Sequence, residues 1–248
     1  MAVFLTPDRV RDEYGLKINE KIIPDGSRVK PNRKLTTGTP QWVTIHNTDR
    51  IKVAAGTTQS EQYARATMNG NMNGVSVHYY IDDADCWQIL KEDEIGYHAA
   101  DGYWGKGNCT TLAIEIIMDG SGKDYDKAAE NRGALLAAIL LHRYNLPVER
   151  LTNHNHWYSE KYCPAYILPH WDEFRRKVKI YLEQLNHGGD IDGDGKVTAA
   201  DARLALRASV GSEKLTDMQK AAADVDGDGK VTSADAREIL RKSVGLEG

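Results

Sequence analysis

Thr111-Leu-Ala-Ile-Glu-Ile-Ile-Met118 is an apolar run of strand length, broken by a single acid, Glu115. Just beyond it, Asp126 to Tyr144 sets Leu135, Leu136, Ile139 and Leu140 at helical spacing, which predicts an amphipathic helix. Working outward, residues 41–47, QWVTIHN, read as a second buried strand with His46 near its C-terminal end. Gln59 to Met68 reads as a helix closed by the turn-rich NGNMNG, and Val75 to Asp82 and Cys86 to Leu90 as two strands joined by a turn. A last helix is expected from Pro169 to Leu185. A short one opens at Thr6-Pro7, with Thr6 as N-cap and Pro7 in the first helical position. Strands alternating with helices predict an α/β domain over residues 1–186, a central mixed β-sheet with helices on both faces.

The composition sets outer bounds. With 41% hydrophobic and 27% charged residues and a net charge of -4, the 248-residue chain lacks the basic footprint of a nucleic-acid binder. No apolar run approaches the roughly 20 residues needed to span a bilayer, so no membrane partner is expected. Met1 to Thr6 has neither the basic start nor the apolar stretch of a signal peptide. The expectation is therefore a chain with no ordinary secretory route, which something else must deliver if its substrate is extracellular. Three cysteines, Cys86, Cys109 and Cys163, are too few and too odd in number for a disulfide framework. A Cys86–Cys109 pair and two free buried thiols both stay open.

From residue 187 the texture changes. DIDGDGKVT at 190–198 returns as DVDGDGKVT at 224–232, and the match runs on through Ala-Asp-Ala-Arg to Ser-Val-Gly. This segment holds 12 acids against 9 bases, which places three of the four net negative charges there. A calcium loop needs six or more oxygens, carboxylates at alternating positions and a Gly at the sharp turn. The first repeat offers Asp190, Asp192, Asp194, the Lys196 carbonyl and Asp201, with Gly195 at the turn. The second offers Asp224, Asp226, Asp228, the Lys230 carbonyl and Asp235, with Gly229 at the turn. Two such loops in register, each followed by an amphipathic helix, predict two Ca2+ ions and a small all-α domain over 187–248. Asp at the twelfth position resembles dockerin modules. That resemblance implies structural calcium and a cohesin-type partner; a cell-wall ligand and self-association remain open beside it.

The remaining signal is HNHWYSEKYCP, residues 154–164. Imidazole and thiolate are preferred zinc ligands, and three of them leave a fourth position for water. Cys163 with His154 or His156 supplies two, and His46 at its strand end is the best third. Together with WVTIHNT, SVHYYIDD, IGYHAADG and LAIEI, this segment resembles the zinc-dependent N-acetylmuramoyl-L-alanine amidases of phages, bacilli and clostridia, a family that includes the peptidoglycan recognition proteins.

The resemblance covers residues 20–170 and implies one Zn2+ on His46, His154 and Cys163. It also implies Glu115 as general base, Lys161 as oxyanion stabiliser, and His98 and Trp157 along the substrate groove. The segment from His154 to Cys163 is one residue longer than usual, and His156 is the rival ligand if the extra residue lies elsewhere than after Trp157. Val77 stands where relatives often carry a tyrosine, which puts more weight on Glu115. The expected activity is hydrolysis of the bond between N-acetylmuramic acid and L-alanine in peptidoglycan, by a phage-type lysin. A non-catalytic peptidoglycan-binding module is the competing reading, disfavoured by the presence of Cys163. A scaffold-docked component is another.

Overall fold

Parallel pairing of the two apolar strands organises the fold. The computed structural model describes residues 16–226 and 229–246; the helix expected at Thr6-Pro7, and Asp228, lie outside them. In chain order the first part contains β1 (Asn19–Glu20), β2 (Trp42–Thr48), α1 (Gln59–Met68), β3 (Tyr79–Ile81), β4 (Cys86–Gln88), α2 (Lys106–Thr110), β5 (Thr111–Ile117), α3 (Asp124–Arg143), β6 (Leu151–Asn153), α4 (His154–Trp157) and α5 (Trp171–His187). The six strands form one mixed sheet in the order β1-β4-β3-β5-β2-β6, with only β3 and β4 antiparallel. Trp42 pairs with Thr111 at one end of the central ladder and Thr48 with Ile117 at the other; His46 is paired with Glu115.

Side chains alternate across a strand, so this register sorts the sheet into two faces. Leu112, Ile114 and Ile116 of β5, with Val43 and Ile45 of β2, pack on α3 and α5 through Leu136, Ile139, Leu140, Phe174 and Val178. The opposite face places Ala113 and Ile117 against Tyr63 and Ala64 of α1. Thr44, His46 and Glu115 share the parity of this second face. Helix α3 crosses the sheet closely at Gly133, where an added Cβ would lie 2.3 Å from Cδ1 of Ile116.

The expected strands are present but two are shorter. The Val75–Asp82 strand is reduced to Tyr79–Ile81, because Val75 N–H turns back to the Met72 carbonyl and Ser76 N–H bonds the Tyr97 carbonyl. The Cys86–Leu90 strand stops at Gln88, although Ile89 N–H still bonds the His78 carbonyl. Cys86 and Cys109 are free buried thiols in separate apolar clusters, so they do not pair.

The tail contributes α6 (Ala199–Ser209), α7 (Asp217–Ala223) and α8 (Ser233–Ser243). Each opens with a threonine capping box, Thr198 with Asp201, Thr216 with Gln219 and Thr232 with Asp235. Ile191, Ala202, Ala205, Val225, Ala236 and Ile239 form its small core. Helix α7 was not expected from the sequence. It receives α5, which runs on to His187, and the Gly189 N–H bonds the Ala222 carbonyl at 2.7 Å.

Candidate metal centre

His46 lies two residues from the end of β2, and β6 runs beside it with Ile45 opposite Asn153. One step past Asn153 the chain turns into α4, because the Asn153 side chain accepts the His156 N–H and caps the helix. That turn makes His154 a neighbour of His46. The 158–162 loop returns Cys163 to the same spot, held by Asn155, whose N–H bonds the Cys163 carbonyl at 2.9 Å and whose amide bonds the Ser159 and Lys161 carbonyls. His46 Nδ1 and His154 Nδ1 are 3.1 Å apart, and Cys163 Sγ is 3.8 Å from His46 Nδ1. All three residues are buried, and one donor atom from each lies within 4.8 Å of the others.

These residues fit a zinc ion. Tetrahedral zinc with bonds of ~2.0–2.3 Å separates its nitrogen and sulfur ligands by roughly 3.3–3.6 Å, close to the spacings here. Burial, then the His154 and Lys161 charges, hold His46 well below the ordinary imidazole range. Burial and Lys161 hold His154 down to about 4, against the Ala99 backbone. Both imidazoles therefore keep a lone pair to offer. Burial pushes the Cys163 thiol up to about 12, with Glu115 adding to the rise. A cation in the pocket is what would release that proton and make the thiolate.

Glu115 stands beside His46 in the ladder, partly buried, and burial raises its carboxyl to about 8, with Lys161 opposing. Lys161 is exposed, and its charge acts on His46, His154, Cys163 and Glu115 alike.

The two side chains expected along the groove sit differently. His98 is only 5% exposed, with Nδ1 3.1 Å from His46 Nε2 and Nε2 3.3 Å from Thr111 Oγ1. Both ring nitrogens are thus engaged inside the protein. Trp157 is partly buried; its Nε1–H donates to Thr44 Oγ1 at 3.0 Å and its ring meets Trp42 edge-on. It braces β2. His156, the rival ligand, is exposed and tilts over Trp42. The sequence reading missed Thr44, Asn108 and Thr111. Asn108 Oδ1 accepts both the His98 and Ala99 N–H groups, at 2.8 and 2.9 Å. Threonines inside two apolar strands were the one available sign.

In the tail, carboxylates of Asp190, Asp192 and Asp194 converge, as do those of Asp224, Asp226 and Asp235, each trio within 4.8 Å. Gly195 and Gly229 both take φ of +84°, the left-handed turn that glycine adopts freely. Asp201 is buried and accepts the N–H groups of Ile191, Asp192 and Thr198. Lys196 and Lys230 follow the two turn glycines.

Residues 36–166, just over half of the chain, match the family described as N-acetylmuramoyl-L-alanine amidase, and residues 188–242 match the dockerin type I domain. The amidase CwlH of Bacillus subtilis is 33% identical over 157 residues, which are 63% of this chain and 59% of CwlH. The chain thus spans less than two thirds of that relative's length. The solved catalytic domain of XlyA is 30% identical with a TM-score of 0.57, over 66% of this chain and 99% of that one. A solved mutant endolysin from Bacillus subtilis is also 30% identical, with a TM-score of 0.56 over the same shares. The chain therefore belongs to the N-acetylmuramoyl-L-alanine amidase family and carries a dockerin-like module at its C-terminal end.

Proposed function

We propose that this chain hydrolyses the amide bond between N-acetylmuramic acid and the L-alanine of the peptidoglycan stem peptide, with one zinc ion on His46, His154 and Cys163. The observation that carries the reading is the convergence of those three buried donors beside Glu115, the one acid of β5. Bound there, zinc supplies a water acidified toward pH ~7 and a Lewis acid for the scissile carbonyl. Glu115 takes the attacking water's proton and delivers it to the leaving amine. Burial raises its carboxyl in the pocket without a cation, and a zinc ion beside it would favour the carboxylate form that accepts the proton. Lys161 shares the negative charge that develops on the carbonyl oxygen.

Residues 1–186 form the catalytic domain in this reading, and 187–248 the calcium module, with Asp190, Asp192, Asp194, Lys196 and Asp201 around one ion and Asp224, Asp226, Asp228, Lys230 and Asp235 around the other. Likeness to a solved endolysin supports a lysin that reaches the wall after release from the host cytoplasm. A cohesin-type protein is the partner we assign to the tail. The dockerin match supports it, as do exposed apolar residues repeated at equivalent positions, Leu206 with Leu240 and Val210 with Val244. Pull-down on a cohesin in calcium, lost in chelator, checks this; capture by purified wall or by a second copy would replace it.

Mass spectrometry of digested peptidoglycan, paired with metal analysis, tests the central reading. The expected result is new free L-alanine amino termini, one zinc and two calcium ions per chain. New reducing sugar ends would mean a glycosidase. Cys163→Ser and His46→Ala should abolish lysis while the circular-dichroism spectrum is kept; full activity in metal-depleted His46→Ala would sink the mechanism.

A further inference from the structure

We propose that His98 is a positioning residue: it fixes the proton on His46 so that the Nδ1 lone pair of His46 faces the metal. The inference rests on the zinc reading above and concerns a residue that resemblance alone would place along the substrate groove.

The argument is one of donor and acceptor parity along a buried chain. It starts at the Gly107 carbonyl, which can only accept. Thr111 Oγ1 lies 2.6 Å from it and must therefore spend its single proton there. Thr111 Oγ1 then has only lone pairs for its other neighbours. Thr44 Oγ1, at 3.1 Å, can donate one bond, since it in turn receives the Trp157 indole N–H. His98 Nε2, at 3.3 Å, must donate the other and so carries a proton. A neutral His98 with its proton on Nε2 has a bare Nδ1. That nitrogen faces His46 Nε2 at 3.1 Å, so His46 Nε2 carries a proton and donates it. The second nitrogen of His46, Nδ1, is left as a lone pair, and it is the atom that points toward His154 Nδ1 and Cys163 Sγ.

Rigid pieces hold the chain at both ends. Asn108 Oδ1 grips the backbone N–H of His98, and Asp101 grips the Gly107 and Asn108 N–H groups. Gly107 has no room for a side chain: a Cβ there would lie 2.5 Å from Ala99 and 2.7 Å from Trp157. A hydrogen bond to the outer nitrogen of a metal-bound imidazole orients the ring and raises its basicity, and such contacts are typically worth 10–100-fold in metal affinity.

Two measurements test this. In the metal-free wild-type protein, long-range 1H–15N NMR of the imidazoles should show both His46 and His98 protonated on Nε2; a proton on Nδ1 of either ring would overturn the proposal. Competition against a zinc chelator should then show His98→Leu binding zinc ~10–100-fold more weakly than wild type. His98→Asn, whose side-chain oxygen restores an acceptor near the Nδ1 position, should recover most of the affinity. Equal loss in the Leu and Asn variants, with matching thermal unfolding, would reduce His98 to packing and overturn the proposal. Undiminished zinc affinity in His98→Leu would overturn it alone. A wild-type protein that takes up no zinc would instead overturn the metal reading, and this inference with it.

Discussion

Burial acts in one electrical direction on the buried histidines, Glu115 and Cys163 of the pocket: it disfavours charge. Without a cation it favours neutral imidazoles at His46, His98 and His154 and the protonated forms of Glu115 and Cys163. Such a site is built around a charge supplied from outside. Glu115→Gln keeps the volume and removes the proton acceptor, so kcat should fall ~10²–10⁴-fold with zinc content unchanged. Loss of zinc in that variant, measured by atomic absorption, would show that Glu115 serves the metal instead.

His78, whose ring lies 6.4 Å from that of His98, offers a check on stability. Its Nδ1 accepts the Ala113 N–H at 3.1 Å, and its Nε2 donates to the Glu94 carbonyl at 2.9 Å. Burial holds its pKa below the ordinary value near 6.5, while the Glu94 backbone and the Glu92 and Glu94 charges pull the other way. Because the fold favours the neutral ring, the unfolded chain binds more protons below about pH 6.5. The His78 contribution is therefore present above that pH and lost as the pH falls. Urea midpoints should drop between pH 7 and pH 5, and less steeply in His78→Gln; an identical slope in the variant would refute the assignment.

At this scale the convergence of His46, His154 and Cys163 was legible, because His46 lies near the end of an apolar strand and Cys163 follows a histidine pair at ligand spacing. The role of His98 was not. Its two ring partners, His46 and Thr111, come from β2 and β5, which pairing alone brings to its side.

Among the elements, the β2–β5 ladder sets the distance between Glu115 and His46. Parity puts Thr44, His46 and Glu115 on one face, and a slip of one residue would replace Glu115 by an isoleucine facing α1. The long elements were readable from periodicity. Helix α1 falls at Gln59–Met68 as expected, and α3 begins two residues before its expected start. The short ones were not: β6 and α4 together span seven residues with no apolar period, and tertiary contact with β2 decides them. Helix α7 did carry a local sign, the Thr216-Asp-Met-Gln219 capping box.

Close packing of α3 on the sheet gives a sharp prediction here. Gly133→Val should destabilise the protein by about 1–3 kcal/mol or more, since its side chain must displace Ile116. Gly133→Ala should cost less, because gained helix propensity of ~1 kcal/mol offsets part of the clash. Thermal unfolding of the pair checks the order.

For the whole molecule, the central question is how the tail is held. Its apolar core is small, and its loops gather carboxylates that repel without a cation. Chelation of calcium by EGTA should therefore remove the helical signal of α6 and α8 and leave a separate unfolding transition for the amidase part. A single transition, shifted as one, would mean that the α5–α7 contact and the Gly189–Ala222 bond couple the two parts strongly. The dockerin-like module was readable because the repeat at 34-residue offset announces itself. That α5 would reach the tail was not, since nothing in Asn186-His187-Gly188-Gly189 tells a linker from a helix end.

The two-faced sheet has a further consequence, for how such a protein can change over time. The side packed by α3 and α5 is apolar and densely filled, so mutations there are paid for in folding. Thr44, His46 and Glu115 belong to the other side. A lineage can therefore vary exposed positions such as Tyr103, Trp104 and Tyr162 while the filled side, His98 and Lys161 remain fixed. Variation among members of this amidase family should concentrate on one side of a single layer of strands.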